Sequence, residues 1–214
     1  ALAKLHQSSA GDLYGIGPAE EPIAALAIRF AMLGSGRNDG KGYSVRAFTF
    51  ENDTEISMLE FQFKSWFHTR GSIDDAAHLV AYLVKVKGGM GVVLSYKGST
   101  NNRDWLVNLD REPESLFSDS PGLPKFLKRA HAEVHHGFRL HKRSLDVRMN
   151  MFMMKPVEKI LTSWGVPERK LHRPFKEFLY SGAWKWCISV GHSLGGALAA
   201  MAALEIAVDS GSSQ

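Results

Sequence analysis

WKWCISVGHSLGGALAAMAALEIAV, residues 184–208, is the stretch that decides the fold. It reads as a strand, a sharp turn and a helix. Cys187-Ile188-Ser189-Val190 is a short apolar run with β-branched residues, the pattern of a buried strand. Gly196-Ala197-Leu198-Ala199-Ala200 opens a long Ala-rich stretch of high helix propensity, with side chains small enough to lie close to a sheet. Ser193 stands between them, inside Gly191-His192-Ser193-Leu194-Gly195. A G-x-S-x-G turn between strand and helix is the nucleophile-elbow pattern. Gly191 and Gly195 lack a Cβ, so strand and helix can pass close to a strained turn. The helix start beside Ser193 aims N–H groups and a positive dipole end at whatever negative charge develops there. The plain alternative is a tight strand–helix turn with a bystander serine.

Two further blocks stand upstream. Val92-Val93-Leu94-Ser95-Tyr96-Lys97-Gly98-Ser99-Thr100 is a strand entering a turn, followed by Asp104-Trp105-Leu106. Val134-His135-His136-Gly137-Phe138 follows. In this order, and with the elbow, the three blocks resemble the class 3 lipases, an α/β-hydrolase family that includes fungal triacylglycerol lipases and phospholipases A1. The resemblance runs over residues 78–208. Lys97 stands where the family usually has Arg, which keeps a cation and removes a bidentate donor. The N-terminal 75 residues resemble nothing we can place.

The resemblance implies roles for particular residues. Ser193 becomes the nucleophile. An acyl-transfer site must hold a tetrahedral oxyanion with one N–H from the residue after the nucleophile and one from a loop after another strand. Leu194 matches the first and Ser99 the second; the bland reading of Ser99 is a polar turn residue. Residues 100–110, TNNRDWLVNLD, cluster Trp105, Leu106, Val107 and Leu109 among polar side chains. The corresponding family segment is a lid whose apolar face covers the serine in water and lies on lipid when open. The alternative is a surface helix packed by Trp105. His136 and His192 are assigned no catalytic part: the family's base comes later in the chain, and the first serves structure near the site.

Serine is a weak nucleophile without a base, and this fold orders its triad as Ser, then Asp or Glu, then His. The 21 residues after Ser193 contain Glu205 and Asp209 but no histidine. Asp209 lies on the helix leading away from the serine and is a poor triad acid. The expectation is a single α/β-hydrolase-type domain over 1–214, a mixed sheet with helices on both faces. It would lack a C-terminal part bearing the acid and histidine, disordered, cleaved or on another chain.

Composition agrees with one globular domain. Hydrophobic residues make up 44% and charged residues 22%, and no run of 18 apolar residues predicts a membrane-spanning helix. The start, ALAKLHQSSAGDLYG, has no initiator Met or signal-peptide pattern and reads as trimmed. Cys187 is the single cysteine, which excludes an internal disulfide, leaves the compartment open and reads as an inert core thiol. No zinc or redox spacing appears, and no cofactor or metal is expected. The net charge of +4 is spread along the chain without a nucleic-acid motif. It reads as solvated surface, or more sharply as attraction to an anionic lipid surface.

Along the chain, Ile23–Leu33 reads as a helix. Tyr43–Phe50 and Ile56–Phe63 read as strands around an Asn52-Asp53 turn, and His78–Val86 pairs with Gly91–Tyr96. Residues 112–124, with four prolines or glycines, read as a loop, and Ser144–Trp164 as a helix broken at Pro156. The leading functional expectation is a lipid-ester hydrolase acting at a membrane or emulsion surface. A catalytically inactive lipid-binding or scaffold protein stands as the alternative, and a small-ester or thioester hydrolase as a third.

Overall fold

The computed structural model describes residues 43–49, 57–64, 78–86, 89–98, 112–115 and 133–211. The Ile23–Leu33 helix, the Asn52-Asp53 turn, Ser99 and the 100–110 segment lie outside the described residues.

Four strands run antiparallel: β1 (Tyr43–Thr49), β2 (Ser57–Lys64), β3 (His78–Val86) and β4 (Gly89–Tyr96). β2 alternates Leu59, Phe61 and Phe63 into one core, and β3 and β4 carry apolar residues on both faces, as strands buried on both sides require. A two-stranded ribbon joins β5 (Pro113–Ser115) to β6 (Glu133–His135). The 112–124 stretch is therefore not loop throughout. Pro113 opens its strand, a position that tolerates the missing N–H. β7 (Trp186–Gly191) then pairs parallel with β4, placing Val92 opposite Cys187 and Tyr96 opposite Gly191. The order β1-β2-β3-β4-β7 makes the sheet mixed.

The parallel β4–β7 pair requires a long crossover. Its helices are α1 (His136–Met151), α2 (Glu158–Ser163) and α3 (Phe175–Tyr180), and α4 (Leu194–Gly211) follows β7. α1 starts eight residues before the expected Ser144. The reason lies in its buried face, which carries Arg139, His141 and Lys142 beside Leu145 and Met149. Charged residues on the inner face erase the apolar period that marks a helix. The break near Pro156 is real: a 3₁₀ turn over Lys155–Val157 separates α1 from α2. α3 buries Phe175, Phe178 and Leu179, spaced i, i+3, i+4 on one face.

The main core lies between one sheet face and these helices. Leu59, Phe61, Leu79, Ala81, Leu83, Val92, Leu94 and Tyr96 meet Leu145, Leu161, Phe178 and Leu198 there. Phe61 and Phe63 pack on Phe152 and Phe175, with ring centroids 5.1 Å apart for Phe61–Phe152 and 5.0 Å for Phe63–Phe175. The opposite face gathers Val80, Tyr82, Val93 and Val190, and none of the described helices contributes to that cluster. Among the described residues, helices thus cover one face, where the sequence predicts both. No described helix is long and apolar enough to cross a membrane.

Candidate active site

The elbow is built by three close backbone approaches. Ser193 has φ 55°, and among the described residues it is the one non-glycine with positive φ. That region costs an L-residue roughly 1–3 kcal/mol and persists only where surrounding structure enforces it. The enforcement is visible. A Cβ on Gly191 would run into the Gly195 carbonyl, so the strand end and the first helical turn touch. A Cβ on Gly195 would run into the carbonyl oxygens of Tyr96 and Lys97, so that turn also rests on the exit of β4. A Cβ on Gly98 would stand 2.5 Å from the His192 carbonyl oxygen. Gly196 is different: its Cβ would meet the Gly191 oxygen at 3.4 Å, an ordinary contact.

The turn closes with short hydrogen bonds. The Gly195 N–H donates to His192 O at 3.0 Å, and the Gly196 N–H donates to Ser193 O at 2.8 Å. Leu194 is buried at the first position of α4, where an N–H has no acceptor within the helix. Ser193 and His192 are exposed. The Lys97 N–H donates to His78 O at 2.9 Å, which fixes the β4 exit against β3. Gly98, the residue before Ser99, therefore lies against the residue before Ser193. That juxtaposition is the geometric core of the site. Ser99 itself, with Trp105, Leu106 and Leu109, is outside the described residues.

His136 begins α1 and places Nδ1 3.0 Å from Glu114 Oε2. The same carboxylate accepts from Arg139 Nε at 3.1 Å and faces Arg143 Nη2 at 2.6 Å. Glu114 thus fastens the β5–β6 ribbon to the first turns of α1. Glu205, an acid after the serine, is engaged elsewhere: it accepts from Lys142 Nζ at 2.7 Å and Tyr180 OH at 3.3 Å. Burial pushes the Cys187 thiol up to about 12, so it stays protonated at neutral pH. His172 stands 3.5 Å from the half-buried Glu158 and 3.6 Å from the exposed Glu168, a surface cluster that sequence spacing did not reveal.

A strand, a left-handed serine and a helix start, packed on the exit of a neighbouring parallel strand, form the unit from which α/β-hydrolase sites are made. The family model for class 3 lipases, "Lipase (class 3)", matches residues 93–213 of the 214, and the chain belongs to that family. Membership assigns the α/β-hydrolase fold and lipid-ester hydrolase chemistry in general. No curated protein sequence matches the chain.

Proposed function

We propose that this protein hydrolyses fatty-acyl esters of lipids with Ser193 as nucleophile. The observation that carries the reading is the Ser193 backbone at φ 55° between β7 and α4. A serine held there at a cost, exposed at a helix start, fits a nucleophile better than a bystander. In the proposed reaction Ser193 Oγ attacks the acyl carbonyl carbon as its proton passes to a general base. We assign that proton to neither His136, engaged with Glu114, nor His192. The carbonyl oxygen becomes an oxyanion held by the Leu194 N–H and by Ser99. Collapse expels the alcohol and leaves an acyl-serine, which water then hydrolyses.

The lid reading belongs to the same proposal. Trp105, Leu106 and Leu109 would form the apolar face that leaves the site for lipid, so the substrate is met at a membrane or emulsion surface. The net charge of +4 adds attraction toward anionic lipid. No metal or cofactor enters the proposed chemistry.

The test is labelling of the full-length protein with a fluorophosphonate, which reports an activated serine. Labelling at Ser193, abolished in Ser193→Ala with folding intact, is expected. A Ser193→Ala variant that still hydrolyses lipid esters near the wild-type rate would sink the assignment. A folded wild-type protein that takes no label would instead point to a lipid-binding or scaffold role.

A further inference from the structure

α4 begins at Leu194, directly after Ser193; its first turn rests on the β4 exit at Gly195, and contacts farther along must hold the rest of the helix in line. Its buried face mixes Ala199 and Ala202 with the larger Leu194, Leu198, Met201 and Ile206. Apolar packing is non-directional, so it fixes the axial register of a helix less sharply than a hydrogen-bonded charge pair does. One directional contact on α4 is of another kind. Lys142, on α1 and 3% exposed at its side chain, donates to Glu205 Oε2 at 2.7 Å and Asp146 Oδ1 at 2.6 Å. Lys176 on α3 donates to the other Asp146 oxygen at 2.8 Å, and Tyr180 donates to Glu205. Two lysines face two carboxylates, so the cluster is neutral as a whole. Burial alone would lower the Lys142 pKa, and Asp146 and Glu205 outweigh it, holding the ammonium charged.

The β4 residue Tyr96 lies nearby, though its hydroxyl makes no hydrogen bond among the described residues. Tyr96 is fully buried within the same core, and burial raises its hydroxyl pKa in the field of Lys142, Asp146 and Glu205. Its backbone carbonyl is one of the two that abut Gly195. Buried ion pairs are often no better for stability than well-packed apolar residues. Their best-attested use is to select one register among several of similar energy.

We infer that the buried Lys142–Glu205 pair is the register pin of the elbow helix, making Lys142 a positioning residue for Ser193 and Leu194. The inference rests on the nucleophile reading of Ser193. Glu205 lies twelve residues after Ser193, about 18 Å along a rod of 1.5 Å rise per residue. A rod transmits an axial slip at one end to the other. One residue step moves the Leu194 N–H by about 1.5 Å relative to the β4 exit, and misplacement of about 1 Å can cost roughly a hundredfold in rate.

The experiment compares the wild-type full-length protein with three variants, well below their melting temperatures. Lys142→Met/Glu205→Leu removes the pair without leaving either charge alone. Glu205→Gln keeps the shape and weakens the contact. Lys176→Met strips the cluster's outer cation, which donates to Asp146 and lies over the Tyr180 ring rather than bonding Glu205. Two readouts are taken: the rate of fluorophosphonate labelling of Ser193, and hydrogen exchange at the Gly195, Gly196 and Ala197 amides. We expect the double variant to fold and melt near the wild type, yet to label about tenfold or more slowly with faster exchange at those amides. Glu205→Gln shifts both readouts the same way by less, and carries the test if the double variant fails to fold. Lys176→Met melts lower and labels at the wild-type rate. Wild-type labelling and exchange in the double variant, or in Glu205→Gln where the double variant does not fold, would overturn the pin. So would equal slowing in Lys176→Met, which means general loosening. If the wild type takes no label, the nucleophile reading falls, and amide exchange alone decides the pin.

Discussion

Adding one methyl group to Gly195 is the sharpest test of how the elbow is held. The new Cβ would stand 2.8 Å from the Lys97 carbonyl oxygen and closer still to that of Tyr96, where ordinary contact begins near 3.4 Å. Both obstacles are backbone at the end of β4, which is hydrogen-bonded to β3 and β7, with Lys97 just past it tied to His78 O, so neither can swing aside as a side chain would. The first turn of α4 must therefore lift from the β4 exit by roughly 1 Å. That separates the Leu194 N–H from the turn that leads to Ser99. An error of this size corresponds to on the order of a hundredfold loss in rate, or about 2.7 kcal/mol of transition-state stabilisation. The control is the next residue. At Gly196 the Cβ makes a 3.4 Å contact, and replacing a helical Gly by Ala is worth up to about 1 kcal/mol of helix propensity. Gly195→Ala should thus melt lower and label with fluorophosphonate roughly a hundredfold more slowly, and Gly196→Ala should melt as high as wild type or higher with its labelling intact. Equal behaviour of the two variants, or the opposite order, would refute the argument from backbone contact.

Three other outcomes are expected. Ser99→Ala keeps its backbone N–H, so turnover should drop by about the low end of the hundred- to thousandfold loss typical of one oxyanion donor, or less; unchanged turnover would mean that the hydroxyl donates nothing. Trp105→Ser should reduce hydrolysis of emulsions more than of dissolved short-chain esters, because opening an apolar lid is offset by burial in lipid at about 25 cal/mol per Å²; equal losses would make Trp105 a core residue. Stability should fall in alkali. The folded pKa values of Cys187, Tyr96, Tyr180 and Lys142 are all raised, so above the unfolded values of 9.0, 10.0, 10.0 and 10.5 the unfolded chain binds fewer protons. Each group's contribution is complete below its unfolded value and is lost as pH rises toward its folded one. Urea midpoints should hold up to about pH 9 and then decline, at up to about 1.4 kcal/mol per pH unit for each titrating group. A midpoint unchanged at pH 11 would contradict the burial of these groups.

The parts that could be read in the sequence are those where backbone demands left a residue signature. His78–Val86 shows its strand in full, because both of its faces are filled by apolar or β-branched residues. Gly191, Ser193 and Gly195 mark the elbow because two glycines are required by contacts and one serine is bent by them. The first two turns of α1 could not be read, since its inner face is polar and is satisfied by partners 63 residues away, as Lys142 is by Glu205. Nor did the β5–β6 ribbon carry a signal; three residues are too few for alternation to show. At the candidate site, spacing singles out the Ser193 turn, whose left-handed backbone the structure contains. The packing of Gly98 on His192 is a tertiary fact, and Gly98 looks like any turn glycine until β4 and β7 are set side by side.

The left-handed backbone of Ser193 ties its geometry to the state of the whole chain. A conformation disfavoured by roughly 1–3 kcal/mol is populated about a tenth of the time or much less unless something imposes it. What imposes it here is Tyr96, Lys97 and Gly98, nearly a hundred residues earlier, pressed against the turn. A nascent or partly unfolded chain would carry the same G-x-S-x-G residues with the serine relaxed into ordinary backbone. The sheet must close before the elbow exists, so folding itself acts as an interlock that sets the serine backbone only when β4 and β7 have met.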